Sequence, residues 1–331
     1  MSTRSALLYA TAMTFLGSAA AVSLAGGLLT RFSGKGIVSQ ELIGTRAFAS
    51  AVAVAAAATV LLATRLGLPV STTHALVGSL AGVGLASATL DGSALAAAFV
   101  APLLVSPLAA VALTAAAYPA LRHLRRALGV SHQACFCLAA EPPAPVPGGA
   151  AVVTGSRLHV VVGEAQQCAG YAGTIAGIGA QRLLDGAHLL TAGAVSFARG
   201  LNDTPKIAAL LLVGAPLGVQ GSSSLLLIGA CILAGGLLAA RRVAATMSQR
   251  ITRMNDGQAF TANLATAGLV LLASRFGLPV STTHVSVGAL VGIGTQRRGA
   301  HWRTVGGIAA SWLVTLPVAA TLAAFLWLAA R

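Results

Sequence analysis

Long stretches without a charged side chain recur along most of this 331-residue chain. A helix of about 20 mostly apolar residues crosses the roughly 30 Å hydrocarbon layer of a bilayer. The first stretch is too long for a signal peptide and more follow it, so we count it as a membrane helix. With their flanking residues, the stretches predict about eight to ten crossings. They are Ala6–Leu29, Ala47–Ala63, Ala94–Ala117, Leu225–Ala240, Ala262–Ala273 and Ile308–Ala330.

Two copies of one polar octapeptide, Gly-Leu-Pro-Val-Ser-Thr-Thr-His, interrupt this apolar pattern at Gly67–His74 and Gly277–His284. Proline disfavours helix in the residue before it, and serine or threonine is a good helix N-cap. We therefore expect a helix break in each copy and a new helix start at Ser71 and Ser281. Non-helical backbone at membrane depth is tolerated only where protein buries it or a watery cavity meets it. Each copy thus predicts a buried polar site.

Each new helix would present free N–H groups and the positive end of its dipole, which suits an oxyanion. The alternative is that the hydroxyls bond back to their own helices. Two identical copies favour a shared site in which two helix starts hold one tetrahedral anion. The candidate ligands are Ser71, Thr72, Thr73, Ser281, Thr282 and Thr283. His74 and His284 could bind substrate or carry protons, but we expect them to brace the broken helices.

An internal repeat relates the two ends of the chain. The octapeptides are 210 residues apart, and Ala25–Leu29 matches Ala234–Leu238 at an offset of 209. We divide the chain into a first membrane repeat, an extramembrane segment and a second membrane repeat, at residues 1–121, 122–181 and 182–331. In the middle segment, Ala151–Thr154 and Leu158–Gly163 predict a hairpin. Cys135 and Cys137 lack the second thiolate pair of a four-cysteine metal site, so no metal is expected.

Charge excludes a soluble protein. Only 8% of the residues are charged, against roughly 25% in soluble domains. The net charge of +14 comes almost entirely from arginines in short predicted loops, where such residues set membrane topology. We therefore expect no nucleic-acid partner. The surplus also favours an anionic substrate, although weakly.

A second polar feature lies in the apolar context from Leu189 to Val213. Asp203 is the acidic residue best placed to lie deep in the membrane, and an intramembrane carboxylate marks a functional site by default. Arg199 precedes it by four residues and Lys206 follows by three, so one helical face would bring the three together. An ion triad that only locks helices together is the alternative. Gly200 and Pro205 predict a second helix interruption, which favours a site.

The G-x-N-D motif of Gly200–Asp203, the two P-V-S-T-T-H segments and the stretch Arg241–Thr246 resemble the PiT-type inorganic phosphate transporters, also called the Pho-4 family. The resemblance covers both halves. It implies an all-α integral membrane protein with two inverted-topology repeats, broken or re-entrant helices and a small inter-repeat loop domain. It further implies secondary active transport of inorganic phosphate, no enzymatic reaction and no cofactor, with a proton or sodium as the coupling ion.

The resemblance also implies roles for residues of the second half. Asn202 and Asp203 would serve phosphate or cation binding, with Asn202 beside the octapeptide hydroxyls. From their charge and spacing, we expect Lys206 and Arg199 to join Asp203 in ion coupling or charge relay. Asn202 and Asp203 would be the ligands if sodium binds. Lys206 could instead take the electrostatic place of a coupling cation, with Arg199 adding to it, which predicts weak sodium dependence and proton coupling.

One departure from the family concerns the first half. Family members typically carry an N-D motif in each half, and this chain has one in a suitable context only in the second. The repeat offset places the missing motif shortly before Met1, so we expect the true start to lie upstream.

Other functions fit less well. A sulfate or other tetrahedral-oxyanion permease on the same fold is the alternative, because both anions suit helix N-termini and hydroxyls. An intramembrane hydrolase is a remote alternative: each octapeptide's serine and histidine are only three residues apart, and one active site would not need two copies. The expected partners are inorganic phosphate and the lipid bilayer. We expect a multi-pass protein of the plasma membrane. The sequence leaves open whether it forms a homodimer.

Overall fold

The computed structural model describes residues 2–130, 134–140, 158–164, 174–213, 222–296 and 299–330, which are mostly helical. The first helices are α1 (Thr3–Leu24), α2 (Gly26–Phe32), α3 (Gln40–Ile43), α4 (Arg46–Arg65), α5 (Thr72–Ala86), α6 (Gly92–Leu95) and α7 (Ala101–Ala127). The later helices are α8 (Ala180–Val213), α9 (Ser222–Ala245), α10 (Asp256–Arg275), α11 (Thr282–Gln296) and α12 (Trp302–Ala329). One π-helical turn, Ala96–Val100, leads into α7, and another, Thr246–Arg250, follows α9.

The apolar helices make the chain a multi-pass membrane protein. Among the described residues, four helices are long and apolar enough to cross a membrane, and α1 with α2, bent by 84°, gives a fifth if the pair is one span. This number is smaller than the eight to ten crossings predicted. The octapeptide helices α5 and α11 have only 15 residues each, below the roughly 20 needed for a crossing. Helix α8 carries charged residues in its apolar stretch.

Each octapeptide ends one helix and starts the next. Gly67 after α4 and Gly277 after α10 take left-handed φ values of +71° and +65°, which glycine adopts without the steric penalty of other residues. The side-chain oxygens of Ser71 and Ser281 each accept a hydrogen bond, 3.2 Å long, from the backbone N–H three residues later. Both predicted helix starts are therefore confirmed.

The predicted interruption at Gly200 and Pro205 is wrong, because α8 continues through both residues. Gly200 instead allows a close approach to α1: a methyl group there would collide with the carbonyl oxygen of Thr14 and the backbone nitrogen of Ser18. Gly17 of α1 has the converse contact with the backbone of α8. Small residues that let helix backbones meet in this way are common in membrane bundles. The glycine therefore serves helix packing.

The two octapeptide helices each pack on a long helix from the other half of the chain. A methyl group at Gly78 or Gly82 of α5 would collide with the backbone of α12. At Gly288 or Gly292 of α11 it would collide with the backbone of α7. Because backbones meet directly at these four glycines, the packing fixes both helix starts relative to α7 and α12.

The central segment, in which the sequence predicts a hairpin, forms a small β-sheet in a chain that is otherwise mostly helical. Strands β1 (Ala134–Ala140), β2 (Leu158–Glu164) and β3 (Thr174–Gly179) form an antiparallel sheet in the order β2-β1-β3. Strand β2 corresponds to the predicted Leu158–Gly163 but pairs with β1, and Ala151–Thr154 lies outside the described residues. β1 is a short apolar run, which periodicity alone does not assign to a strand. Contacts group Ala117–Leu190 as one compact unit and the rest of the chain as another.

Candidate functional site

The polar residues of α8 are buried, as predicted for a site at membrane depth. Asn202 is 0% exposed, Asp203 6% and Lys206 1%. Close packing of α1 on Gly200 and a 2.8 Å hydrogen bond from the hydroxyl of Thr204 to that of Ser18 set the position of this part of α8. The rest of the site comes from the two octapeptide segments.

Lys206 joins α8 to both octapeptides. Its Nζ lies 2.8 Å from the carbonyl oxygen of Val280, 2.9 Å from Oγ1 of Thr73 and 3.3 Å from Oδ1 of Asp203. Nζ also lies 5.7 Å from the ring centroid of Phe32, within reach of a cation–π contact. The carboxylate balances the buried ammonium, so the pair contributes no net charge.

Asn202 is held from two sides. Its Nδ2 donates to the carbonyl oxygen of Val280 at 3.2 Å and to Oδ1 of Asp203 at 3.4 Å. Its Oδ1 accepts a hydrogen bond from the hydroxyl of Ser274, 3.2 Å away near the end of α10. The amide orientation is therefore fixed by the helix before the second octapeptide and by the break itself.

The threonines of the octapeptides connect the two halves. Thr73 donates to the carbonyl oxygen of Val280 at 3.4 Å, and Thr283 donates to that of Val70 at 3.2 Å. These two contacts are equivalent under the 210-residue offset. Thr72 donates to Oδ1 of Asp203 at 3.3 Å. Thr72 is partly buried, whereas its equivalent in the second copy, Thr282, is buried.

The six candidate hydroxyls thus differ in what they contact. The side-chain oxygens of Ser71 and Ser281 accept hydrogen bonds from their own helices, α5 and α11. This is the alternative that the sequence left open. Thr73 and Thr283 hold one break to the other. Thr72 is the octapeptide hydroxyl that contacts the carboxylate of α8.

The two octapeptide histidines meet at the centre of this arrangement. Their rings pack edge to face, with centroids 4.4 Å apart, and the ring of His284 also stacks on Trp312 at 3.8 Å. His284 Nδ1 lies 3.3 Å from the carbonyl oxygen of Leu103, and because a carbonyl only accepts, this nitrogen carries the proton. The contact is of the kind expected of a brace. The indole N–H of Trp312 donates to the carbonyl oxygen of Pro69 at 2.9 Å.

Arg199 lies at the edge of the site. Its Nε is 3.7 Å from Oδ2 of Asp203, and its side chain is 59% exposed. The helical face predicted for Arg199, Asp203 and Lys206 is confirmed, since Asp203 pairs with both cations. An exposed ion pair contributes little to stability, about 0–1 kcal/mol, whereas Lys206 is fully enclosed.

Sequence inspection missed several residues of the site. Ser274 had a signal, because a hydroxyl residue stands at the same place before both octapeptides, Thr64 and Ser274. Trp312 and the carbonyl of Val280 had none, since a side chain far along the chain and a backbone group leave no local pattern. Among the described residues, no group of three or more histidine, cysteine, aspartate or glutamate side chains is arranged to hold a metal ion.

Comparison with known proteins yields phosphate transporters among the relatives. "Inorganic phosphate transporter 2-1, chloroplastic" of Arabidopsis thaliana is 39% identical over 149 residues, which cover 41% of this chain and 25% of that protein. "Sodium-dependent phosphate transporter 2" of Xenopus tropicalis is 39% identical over 143 residues, 40% of this chain and 22% of that protein. The chain thus spans about a quarter of the length of these curated relatives.

A solved structure described as "The sodium-dependent phosphate transporter" shares the fold. Its TM-score is 0.71 at 22% identity, and the match covers 100% of this chain and 90% of that chain. A sequence model described as the phosphate transporter family matches residues 1–323. Because this match takes in both octapeptides and the N-D motif of α8, the chain belongs to the phosphate transporter family.

Proposed function

We propose that the protein is a secondary active transporter that carries inorganic phosphate across the plasma membrane, driven by a proton or sodium gradient. One observation carries the proposal: the buried Asn202–Asp203 pair of α8 is hydrogen-bonded to both broken segments, through Thr72 of the first and Val280 of the second. A carboxylate enclosed at membrane depth is costly and marks function. The relatives are transporters, which favours transport over hydrolysis.

Phosphate would bind where the starts of α5 and α11 face α8. Free N–H groups and the positive dipole ends of both helices favour an oxyanion, and the threonine hydroxyls with the Asn202 amide add donors without net charge. Asp203 with Lys206 and Arg199 would set the charge balance and couple the ion.

Two inverted-topology repeats would supply the movement. The reciprocal Thr73–Val280 and Thr283–Val70 contacts support this arrangement, as does the packing of each octapeptide helix on a helix from the other half of the chain. Transporters built from such repeats alternate access by moving one part against another around a fixed site.

Uptake of radiolabelled phosphate into proteoliposomes tests the function. Sodium and pH gradients are varied separately, and unlabelled sulfate competes with phosphate. The proposal predicts saturable phosphate uptake that one of the two gradients accelerates and that excess sulfate leaves largely intact. Equal inhibition by sulfate would favour the broader oxyanion permease, and no uptake under either gradient would contradict the proposal.

A variant pair links uptake to the site. Thr72→Val removes the hydroxyl that contacts Asp203 and keeps the shape, so uptake efficiency should fall about tenfold, the equivalent of about 1.4 kcal/mol. Thr59→Val is the matched control, because Thr59 is buried and donates at 2.8 Å within its own helix to Ala55. Equal losses in both variants would contradict a role for Thr72 in transport.

A further inference from the structure

The ammonium of Lys206 has as many oxygen acceptors around it as it has N–H donors. A lysine ammonium has three N–H donors and no acceptor. Three oxygens lie within 3.3 Å of Nζ: Oδ1 of Asp203, Oγ1 of Thr73 and the carbonyl oxygen of Val280. We call these three oxygens the oxygen cage. Lys206 is 1% exposed, so its charge is satisfied inside the protein.

The oxygen cage has the composition of a site for a small hard cation. Such ions take oxygen ligands from carboxylates, hydroxyls and backbone carbonyls. In transporters with broken helices, carbonyls of the unwound backbone coordinate the coupling cation. Val280 lies in the non-helical segment between α10 and α11, and Asp203 supplies the negative charge. The ring of Phe32, 5.7 Å from Nζ, adds a further surface that favours a cation.

From this geometry we infer that the Lys206 ammonium is a tethered cation in a monovalent-cation site, and that it holds this site closed to free sodium. The oxygen cage includes oxygens from α8 and from both octapeptide segments, so the ammonium replaces an ion that would otherwise join the two halves. Because the ammonium is attached to the chain, its occupancy of the site does not depend on the concentration of free ions. The inference rests on the proposed function only in its consequence, that sodium does not drive transport through this site.

Removing the lysine should open the site. Lys206→Ala leaves the three oxygens and the space of the side chain, and the carboxylate of Asp203, left with only the exposed Arg199 at its other oxygen, then needs a counter-ion inside the protein. We expect the purified variant to bind radiolabelled sodium and to melt at a temperature about 5 °C higher in sodium chloride than in potassium chloride at equal concentration. The wild type should bind no sodium and melt at the same temperature in both salts.

Two further variants separate this site from a general charge effect. Lys206→Ala combined with Asp203→Asn keeps the space but removes the carboxylate, so the sodium effect should disappear. Arg199→Ala also removes a cation beside Asp203, but Arg199 is 59% exposed and meets the other carboxylate oxygen, Oδ2. Water screens that position, so Arg199→Ala should gain no sodium response.

These experiments measure sodium binding, so they do not depend on transport activity. A wild type that binds sodium or melts higher in it overturns the inference, whether or not Lys206→Ala folds. A folded Lys206→Ala without a sodium response also overturns it, while phosphate uptake by the wild type leaves the proposed function intact. If the wild type takes up no phosphate but Lys206→Ala binds sodium, the proposed function fails and the cation site stands.

Discussion

The imidazole of His74 meets the imidazole of His284 edge to face, with ring centroids 4.4 Å apart. These residues end the two octapeptides, so the contact places the first turns of α5 and α11 side by side. Both rings are buried, and neither Nδ1 of His74 nor Nε2 of His284 has a hydrogen-bond partner among the residues that the structure describes. The pair therefore acts through packing, through the hydrogen bond from His284 to Leu103 and through that between His74 and the backbone of Trp312.

The bond from His284 to Leu103 compensates for a proline. Within α7, the carbonyl of Leu103 would normally accept from the backbone N–H four residues later, but that residue is Pro107, which has none. His284 Nδ1 supplies a donor at 3.3 Å, in addition to the hydroxyl of Ser106 at 3.5 Å. A histidine at the end of the second octapeptide thus satisfies a helix of the first half.

His284→Phe tests the bracing role. Phenylalanine keeps an aromatic ring beside Trp312 and His74 but cannot donate to Leu103, so the net loss should be about 1 kcal/mol, or about 2 °C in melting temperature. Differential scanning fluorimetry of the detergent-purified protein measures this shift. His123→Phe, at an exposed position near the end of α7, is the control and should change little. A His284→Phe variant as stable as the wild type would contradict the brace.

The reciprocal threonines predict unequal effects from equal substitutions. Thr283→Val removes one hydrogen bond, to Val70. Thr73→Val removes the bond to Val280 and one of the three acceptors of the Lys206 ammonium. A neutral bond contributes about 1 kcal/mol and a charged one about 1.5–3 kcal/mol, so Thr73→Val should lower the melting temperature at least twice as far. Thermal unfolding of both variants decides, and equal shifts would show that Lys206 does not depend on Thr73.

Ser274 predicts a selective defect in substrate binding. Its hydroxyl fixes Oδ1 of Asn202, and without it the amide could rotate away from Val280. Ser274→Ala should raise the apparent KM for phosphate several-fold while the maximal rate and the melting temperature change less. The equivalent Thr64 donates instead to Val60 within its own helix, so Thr64→Ala should leave KM unchanged. Uptake kinetics measure the KM of both variants, and equal KM values would contradict the role of Ser274.

Local chemistry in the sequence was sufficient to predict the helix breaks. Proline, glycine and a serine cap act within a few residues, so the starts of α5 and α11 could be placed to the residue. The burial of Asp203 followed from its apolar surroundings. The grouping of Arg199, Asp203 and Lys206 followed from helical spacing.

Contacts between distant segments could not be predicted in the same way. Gly200 and Pro205 suggested a break in α8 because both disfavour helix locally, but the approach of α1 gives Gly200 a packing role. The pairing of β2 with β1 likewise depends on a partner elsewhere in the chain. The partners of Lys206 include a backbone carbonyl 74 residues away, which no spacing rule identifies.

The packing of α1 on α8 makes Gly200 intolerant of even one methyl group. A Cβ at this position would overlap the backbone of α1 at Thr14 and Ser18, and backbone cannot move aside as a flexible side chain can. Gly200→Ala should therefore separate α1 from α8, displace the following Asn202 and Asp203, and abolish both monodisperse purification and uptake. Gly268→Ala is the matched control, because nothing lies within 4 Å of a methyl group there. Since alanine is favoured over glycine within a helix by about 1 kcal/mol, that variant should be at least as stable as the wild type. Size-exclusion chromatography in detergent compares the two, and a Gly200→Ala protein that elutes and transports like Gly268→Ala would show that α1 and α8 do not need this contact.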